Sequence, residues 1–254
     1  MPHDSQLDTP PAPGAEPTLT FTGQVTRIDP LAVRLSRLAR ELQSAGTVEE
    51  TLEAVARAAA DTVPGARHAG ITEPAGRRGW RTTAATDDLV RQVDDAQYAT
   101  GQGPCLTALA AERLVHLPDT GVGGRWPEFN PRASGLGVGS MMSVRLYLAR
   151  DSFGALNMYA PMPHAFDAES EGIGLLLATH AAVAIGDARR VAQLNRALDV
   201  RDLIGQAKGI LMERHRLTGE QAFGRLVAAS QRCNVKLVEV AHRLVETGEL
   251  PASG

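Results

Sequence analysis

Arg201-Asp202-Leu203-Ile204-Gly205-Gln206-Ala207-Lys208-Gly209-Ile210-Leu211-Met212, close to the end of a 254-residue chain, repeats with the period of a helix that has two unlike faces. At about 100° per residue, Val200, Leu203, Ala207, Ile210 and Leu211 fall in one apolar sector. Arg201, Gly205, Lys208, Met212 and His215 line the opposite one. The first sector packs and the second faces outward. Glycine inside a helix costs roughly 0.5–1 kcal/mol against alanine, so Gly205 and Gly209, on or beside the cationic face, need a reason. Close approach of a polyanionic backbone is one; an ordinary solvated surface helix is the alternative.

Downstream, the chain turns at Arg216-Leu217, and Thr218 with Gln221 forms a capping box. Ala222, Phe223, Leu226, Val227 and Ser230 form the inner face of the helix that follows. Asn234 reads as the cap of a last helix carrying Leu237, Val240, Ala241, Leu244 and Val245, which Gly248 ends. Upstream, Asp167 with Ser170 starts a long apolar helix through Ile173, Leu176, Leu177, His180, Ala181, Val183 and Ala184. No proline or glycine interrupts residues 187–201, so one helix can join both parts of the chain. Val191, Leu194 and Leu198 recur at coiled-coil spacing; a short coiled-coil seam and packing against the body are both open.

Further back the pattern changes. Short β-rich runs occupy His68–Thr72, Trp80–Ala85, Leu114–Leu117, Ser143–Leu148 and Phe153–Tyr159. Val144, Leu146 and Leu148 alternate with Ser143, Arg145 and Tyr147, as in a strand with one buried face. With Asp151–Gly154 as a turn, the last two runs form an antiparallel hairpin. Before them, Leu31, Leu35, Leu38 and Leu42 have helical spacing. Thr47 with Glu50 caps a second helix that buries Leu52, Val55 and Ala59 and ends at Pro64-Gly65. Residues 1–30, with Pro10, Pro11, Pro13 and Pro17, form a disordered tail. The fold class is therefore α+β, with an antiparallel sheet flanked by helices over 31–188. A helical stem and a three-helix module follow over 189–250.

The formal charge of −3 and pI near 6.2 argue against a protein-wide basic field. The charge is uneven, however: Arg189–Glu246 holds 11 Lys and Arg against 6 Asp and Glu. This basic module on an acidic body attracts phosphate locally. Only two cysteines are present, Cys105 and Cys233, far apart, which gives neither a disulfide framework nor zinc spacing. No segment has the roughly 20 apolar residues of a membrane span and no secretory signal is seen. The expectation is a soluble cytoplasmic protein without a membrane partner, a metal or a bound cofactor.

Two regions carry a family resemblance. Arg201, Ile204, the string Gln206-Ala207-Lys208-Gly209-Ile210-Leu211-Met212, Ala222, Phe223, Leu226, Ala229-Ser230 and Asn234 resemble an ANTAR domain, the RNA-binding module of bacterial transcription antiterminators. Gly101-Gln102-Gly103-Pro104-Cys105-Leu106, Asp119, Arg125-Trp126-Pro127, Gly154-Ala155-Leu156-Asn157-Met158-Tyr159 and Ala165-Phe166-Asp167 resemble the GAF domain found upstream of ANTAR. The resemblance implies a dimer, paired through the stem, that holds two RNA hairpin loops in a nascent transcript and so favours an antiterminator. It assigns RNA contact to Arg201, Gly205, Lys208 and Gly209, with Gln206, Met212, Arg232, Asn234 and Lys236 around them. Ala207, Ala222 and Phe223 are family positions whose apolar chemistry places them in the core. Gln206, about 140° from Arg201 on the wheel, serves equally as a cap at a helix junction. The resemblance also admits a small-molecule ligand or a partner kinase as the input at the GAF domain.

Pro104 stands at a first helical turn, and the helix dipole would lower the thiol pKa of the neighbouring Cys105. A redox residue and an inert core thiol are both open there. Trp126 and Phe129, on either side of Pro127, form a packing cluster under a loop, and His68, His116, His164 and His180 are scattered, with no convergent charged group. The other classes are a GAF-type methionine sulfoxide reductase acting through Cys105, which lacks a nearby resolving thiol, and a helix-turn-helix DNA-binding regulator.

Overall fold

The computed structural model describes residues 33, 36, 39–42, 44–76, 79–148 and 151–251. The tail over 1–30 and most of the helix expected over Leu31–Leu42 lie outside them. The first complete helix, α1 (Val48–Thr62), begins on the expected capping box. Thr47 Oγ1 accepts from the Glu50 amide at 3.1 Å, and Glu50 Oε2 accepts from the Thr47 amide at 3.2 Å. Leu52, Val55 and Ala59 are buried.

Strands β1 (His68–Pro74) and β2 (Trp80–Ala85) follow, then helices α2 (Asp88–Thr100) and α3 (Pro104–Ala110), strand β3 (Leu114–Leu117) and a short α4 (Asn130–Gly135). The hairpin of β4 (Ser140–Leu148) and β5 (Asp151–Ala160) completes a wholly antiparallel sheet in the order β2-β1-β5-β4-β3. Helix α1 and the first third of α5 (Ala168–His215) cover one face, through Leu52, Val55, Val144, Leu156, Leu177 and Ile185. Helices α2–α4 cover the other, through Val93, Phe129, Met141 and Tyr159.

This second cover changes the reading of β4. Val144 and Leu146 are buried as alternation requires, but Ser143 is buried too, because its face meets the α2–α4 layer and not solvent. The hairpin also differs in its turn. Asp151 pairs with Leu148 and Gly154 with Leu146, so residues 151–154 belong to the strand. A register shift between Leu146 and Tyr147 adds one residue to β5 there, a bulge. Gly154 lies so close to β1 that a Cβ on it would stand 2.0 Å from the Thr72 carbonyl oxygen.

Helix α2 has no counterpart in the sequence expectations. Two of its inward positions hold Asp94 and Gln97, both buried, so the apolar period that marks a helix is broken. Helix α5 is a single element of 48 residues. Asp167 and Ser170 cap its start reciprocally, and Ser170 Oγ also donates to the Pro64 carbonyl at 2.9 Å. It ends at Arg216 in the left-handed region, φ 53°. Its last turns pack Ala207 and Leu211 against α6 (Gly219–Cys233) and α7 (Leu237–Thr247), through Ala222, Leu226, Ala229, Val240, Ala241 and Leu244.

Gly154→Val forces a branched side chain into the Thr72 carbonyl, and the expected loss is about 3 kcal/mol or more of unfolding free energy. Urea unfolding of the full chain measures it; an unchanged midpoint refutes the close approach.

Candidate nucleic-acid interface

Arg201, Gly205, Lys208 and Met212 fall within about 60° of one another on α5 and span about 16 Å along its axis. Arg201 is exposed, and its only ion pair among the described residues is with its neighbour Asp202, at 3.4 Å in solvent. Lys208 makes no ion pair among the described residues and is half-buried, leaning over the start of α6. A Cβ added to Gly219 would lie 3.7 Å from Lys208 Nζ and 3.8 Å from Met212 Sδ. An ammonium at a helix N-terminus meets the positive end of the dipole, so the pair favours an anion between or beside them.

Gly205 and Gly209 decide how this face is read. A Cβ on either would meet nothing within 4 Å. Packing inside the chain therefore does not account for their small size, and the helix bears their propensity cost in open space. Gly224 on α6 is the same.

Phe223 corrects an expectation. Its neighbour Ala222 is buried, but Phe223 is 41% exposed. It stands one helical turn beyond Gly219, on the same side of α6, and so extends the Lys208–Met212 surface with an aromatic ring. The apolar side chain signalled core; only its offset by one residue from the buried positions Ala222, Leu226 and Ala229 pointed outward.

The remaining positions are distributed differently. Gln206 is exposed in mid-helix and caps no junction, since α5 runs unbroken through it. Asn234 is the C-cap of α6, φ 51°, and Lys236 is the N-cap of α7, which reverses the cap expected of Asn234. Arg232, Asn234 and Lys236 are exposed at the far end of α6, about 20 Å along that helix from Gly219.

In the sheet domain, Cys105 is fully buried in α3, and its amide donates to Gln97 Oε1 at 2.9 Å. Burial, and then the Asp94 carboxylate, push its thiol up to about 12, opposite to the lowering expected from the helix dipole. Trp126 and Phe129 are buried, as a packing cluster requires. Charged and polar groups do converge here, contrary to the sequence reading. Asp94 accepts from the Tyr159 hydroxyl, from Thr82 Oγ1 at 2.7 Å and from Gln97 Nε2 at 3.0 Å. Burial lifts its carboxyl to about 6 against the pull of these donors.

The arrangement defines a class: a layered α+β domain with a polar core, joined by one helix to a small helical module with a bare cationic face. Comparison with known families agrees. A GAF domain model matches residues 45–186 and an ANTAR domain model matches residues 192–245. The chain belongs to the GAF family and carries an ANTAR domain behind it, a sensory module joined to an RNA-binding antitermination module, so it is a regulator.

Among solved structures, a bacteriophytochrome from R. palustris is similar over 81% of this chain and 48% of its own, with TM-score 0.55 and 13% identity. The GAF domain of an Acinetobacter phosphoenolpyruvate-protein phosphotransferase is similar over 65% of this chain and 99% of its own, with TM-score 0.51 and 16% identity. The chain spans 62% of the chromophore-binding domain of the R. palustris protein. The first two likenesses establish the fold. No curated protein matches the chain. No helix among the described residues is long and apolar enough to cross a membrane.

The folded chain holds the Asp94 proton more tightly than the unfolded chain does. Stability contributed at this site is therefore full below about pH 4 and is lost as pH rises to about 6, by about 3 kcal/mol. Asp94→Asn removes that pH dependence. Urea midpoints of both proteins across pH 4–7 measure it; parallel curves for the two contradict the assignment.

Proposed function

We propose that the ANTAR module holds paired RNA hairpin loops in nascent transcripts, favouring an antiterminator structure over the overlapping terminator, under control of the GAF domain. The observation that carries this reading is the unfilled space over Gly205 and Gly209 beside Arg201 and Lys208. The two cations neutralise phosphate, the glycines admit the backbone, and Phe223 with Met212 offers apolar surface to unstacked loop bases. Gln206, Arg232, Asn234 and Lys236 are candidates for further polar contacts, the last three with a different part of the RNA. In this reading the protein is cytoplasmic, where transcripts are made, and is a regulator without catalysis of its own. Its input is a small molecule or a partner kinase acting at the GAF domain.

A helix-turn-helix mode on duplex DNA is less well supported. The outward side of α7 carries Glu239 and Glu246 with His242 and Arg243, and His242 Nδ1 pairs with Glu246 Oε2 at 3.1 Å. That face suits a phosphate-lined groove poorly. Reductase chemistry through Cys105 is opposed by its burial and raised pKa.

The stem supports a homodimer. Val191, Leu194 and Leu198 are 54%, 59% and 47% exposed, and Val183 upstream continues the stripe. Among the described residues they stay exposed, which suits the coiled-coil reading of this seam. An open groove of about 690 Å³ between Leu42 and Val48 on one side and Val183 and Val191 on the other lies along the same surface. Two copies pairing here present two modules to two hairpins.

Cross-linking in cells with sequencing of bound RNA identifies the transcripts; anisotropy titrations with those hairpins then test the face. Lys208→Ala is expected to weaken binding by about tenfold and to lower the salt slope by close to one phosphate, with the fold intact. Gly205→Ala and Gly209→Ala are expected to raise stability by about 0.5–1 kcal/mol each while weakening RNA binding. Undiminished affinity in all three, or duplex DNA binding equally well at equal salt, refutes the assignment.

Leu194→Lys together with Leu198→Lys is expected to convert a dimer to a monomer in sedimentation and to cost about 100-fold or more in affinity for a two-hairpin RNA. A wild-type monomer, or a variant that still pairs, rules out the seam.

A further inference from the structure

The exposed stripe of the stem and the cationic face of the module lie on one line. Val191, Leu198, Gly205 and Met212 follow one another at intervals of seven residues, and so do Leu194, Arg201 and Lys208, each three residues further on. These are the a and d positions of a heptad, the ones that a helix of a two-stranded coiled coil turns towards its partner. Helix α5 runs through all of them without a break, and on a straight helix each interval of seven shifts the position by only about 20°. The line is open for most of its length. Val191, Leu194, Leu198 and Arg201 are exposed, Met212 is 39% exposed, and a Cβ on Gly205 would meet nothing; only Lys208 is half-buried.

The line changes character after Leu198. Up to there it is apolar, and two copies paired in parallel bury three layers on it, at Val191, Leu194 and Leu198. An antiparallel pair, in which a meets d, sets Arg201 against Val191 and forfeits one of them. Beyond Leu198 the d positions are cations and the next a position is glycine. Parallel pairing therefore turns Arg201 and Lys208 of each copy towards their counterparts. Asp202, beside the line, pairs with Arg201 at 3.4 Å, so four cations face two carboxylates across the pair. Like charges repel, and polar side chains at core positions cost pairing free energy. The seam of the free protein thus holds as far as Leu198 and opens past it. The gap has cations on both walls, and Gly205 and Gly209 put no side chain into it.

We propose that the phosphate-binding face is completed by the second copy: Arg201, Gly205 and Lys208 of both chains form one cleft across the two-fold axis, which takes the RNA backbone between them. This rests on the RNA-binding and stem-pairing readings of the module. It goes beyond them in setting the two hairpins side by side at one cleft and not on the outer sides of the dimer. A single copy holds half of the site. Phosphate in the cleft neutralises the charges that weaken pairing, so RNA binding and dimerisation strengthen each other.

The test is disulfide linking in the full chain carrying Cys233→Ala, where the remaining Cys105 is fully buried. Leu198→Cys, Gly205→Cys and Gln206→Cys are introduced singly and oxidised with copper phenanthroline, and linked dimer is followed on denaturing gels. Gly205→Cys is expected to link within about tenfold of the rate of Leu198→Cys, and Gln206→Cys, about 100° further round the helix, at least about tenfold more slowly than Gly205→Cys. If Leu198→Cys does not link, parallel stem pairing fails and the shared cleft with it. If Leu198→Cys links and Gly205→Cys is no faster than Gln206→Cys, pairing stands and the shared cleft is refuted. Arg201→Leu together with Lys208→Leu extends the apolar line and is expected to tighten dimerisation without RNA by about tenfold or more in sedimentation equilibrium; an unchanged association constant also refutes it. Two-hairpin RNA recovered by in-cell cross-linking, saturating by anisotropy, is expected to slow Gly205→Cys linking by about fivefold or more and to leave Leu198→Cys linking unchanged, since the backbone then lies between the thiols. RNA that binds without slowing Gly205→Cys overturns the inference alone, whereas RNA that does not bind overturns the RNA-binding reading beneath it.

Discussion

A single run of backbone hydrogen bonds in α5 has to serve two cores. Its first turns are locked by the Asp167–Ser170 box and the bond to Pro64, and Ile173, Leu177, Ala181 and Ile185 sink into the sheet domain. Its last turns bury Ala207 and Leu211 among α6 and α7. No residue between Ile185 and Ala207 is buried. Isolated helix in water is marginal, and helices are held mainly by tertiary burial. The middle of α5 is therefore supported from both ends and leaves Val191, Leu194 and Leu198 uncovered.

The parts legible in the sequence were those where local chemistry and packing agree. Three capping boxes, at Thr47, Asp167 and Thr218, marked their helices correctly because each satisfies free amides with side chains a few residues away. The β4–β5 pairing followed from alternation, but the position of its turn did not. Asp151–Gly154 has turn composition, yet the bulge and the close passage of Gly154 past Thr72 use the same residues for strand. Helix α2 was hidden for a different reason: Asp94 and Gln97 sit where apolar residues mark a helix, and their partners Thr82, Tyr159 and Cys105 come from other elements.

The cationic face was legible as a helical stripe, and Arg201, Gly205 and Lys208 lie where the wheel put them. Phe223 was not, since hydrophobicity says nothing about which side of a thin helix has a neighbour. Nor could spacing bring His116 and His164 together, because the segment after β5 returns to the end of β3, where the His164 amide donates to the Pro118 carbonyl at 2.7 Å. In the sheet domain, burial dominates the ionisation of Asp94 and Cys105, raising both, and of the two readings open for Cys105 it favours the inert core thiol.

The stretch of α5 between its two cores, tied to the sheet domain near its start by the Arg189–Glu73 ion pair, also sets a scale for communication. From Ile185 to Ala207 it rises about 33 Å. A tilt of only about 5° where the rod leaves the sheet carries its far end sideways by about 3 Å, the length of one hydrogen bond. A rod this long needs no large rearrangement at its root: displacements within the reach of a side-chain rotamer change there are magnified into a change of grip at the tip.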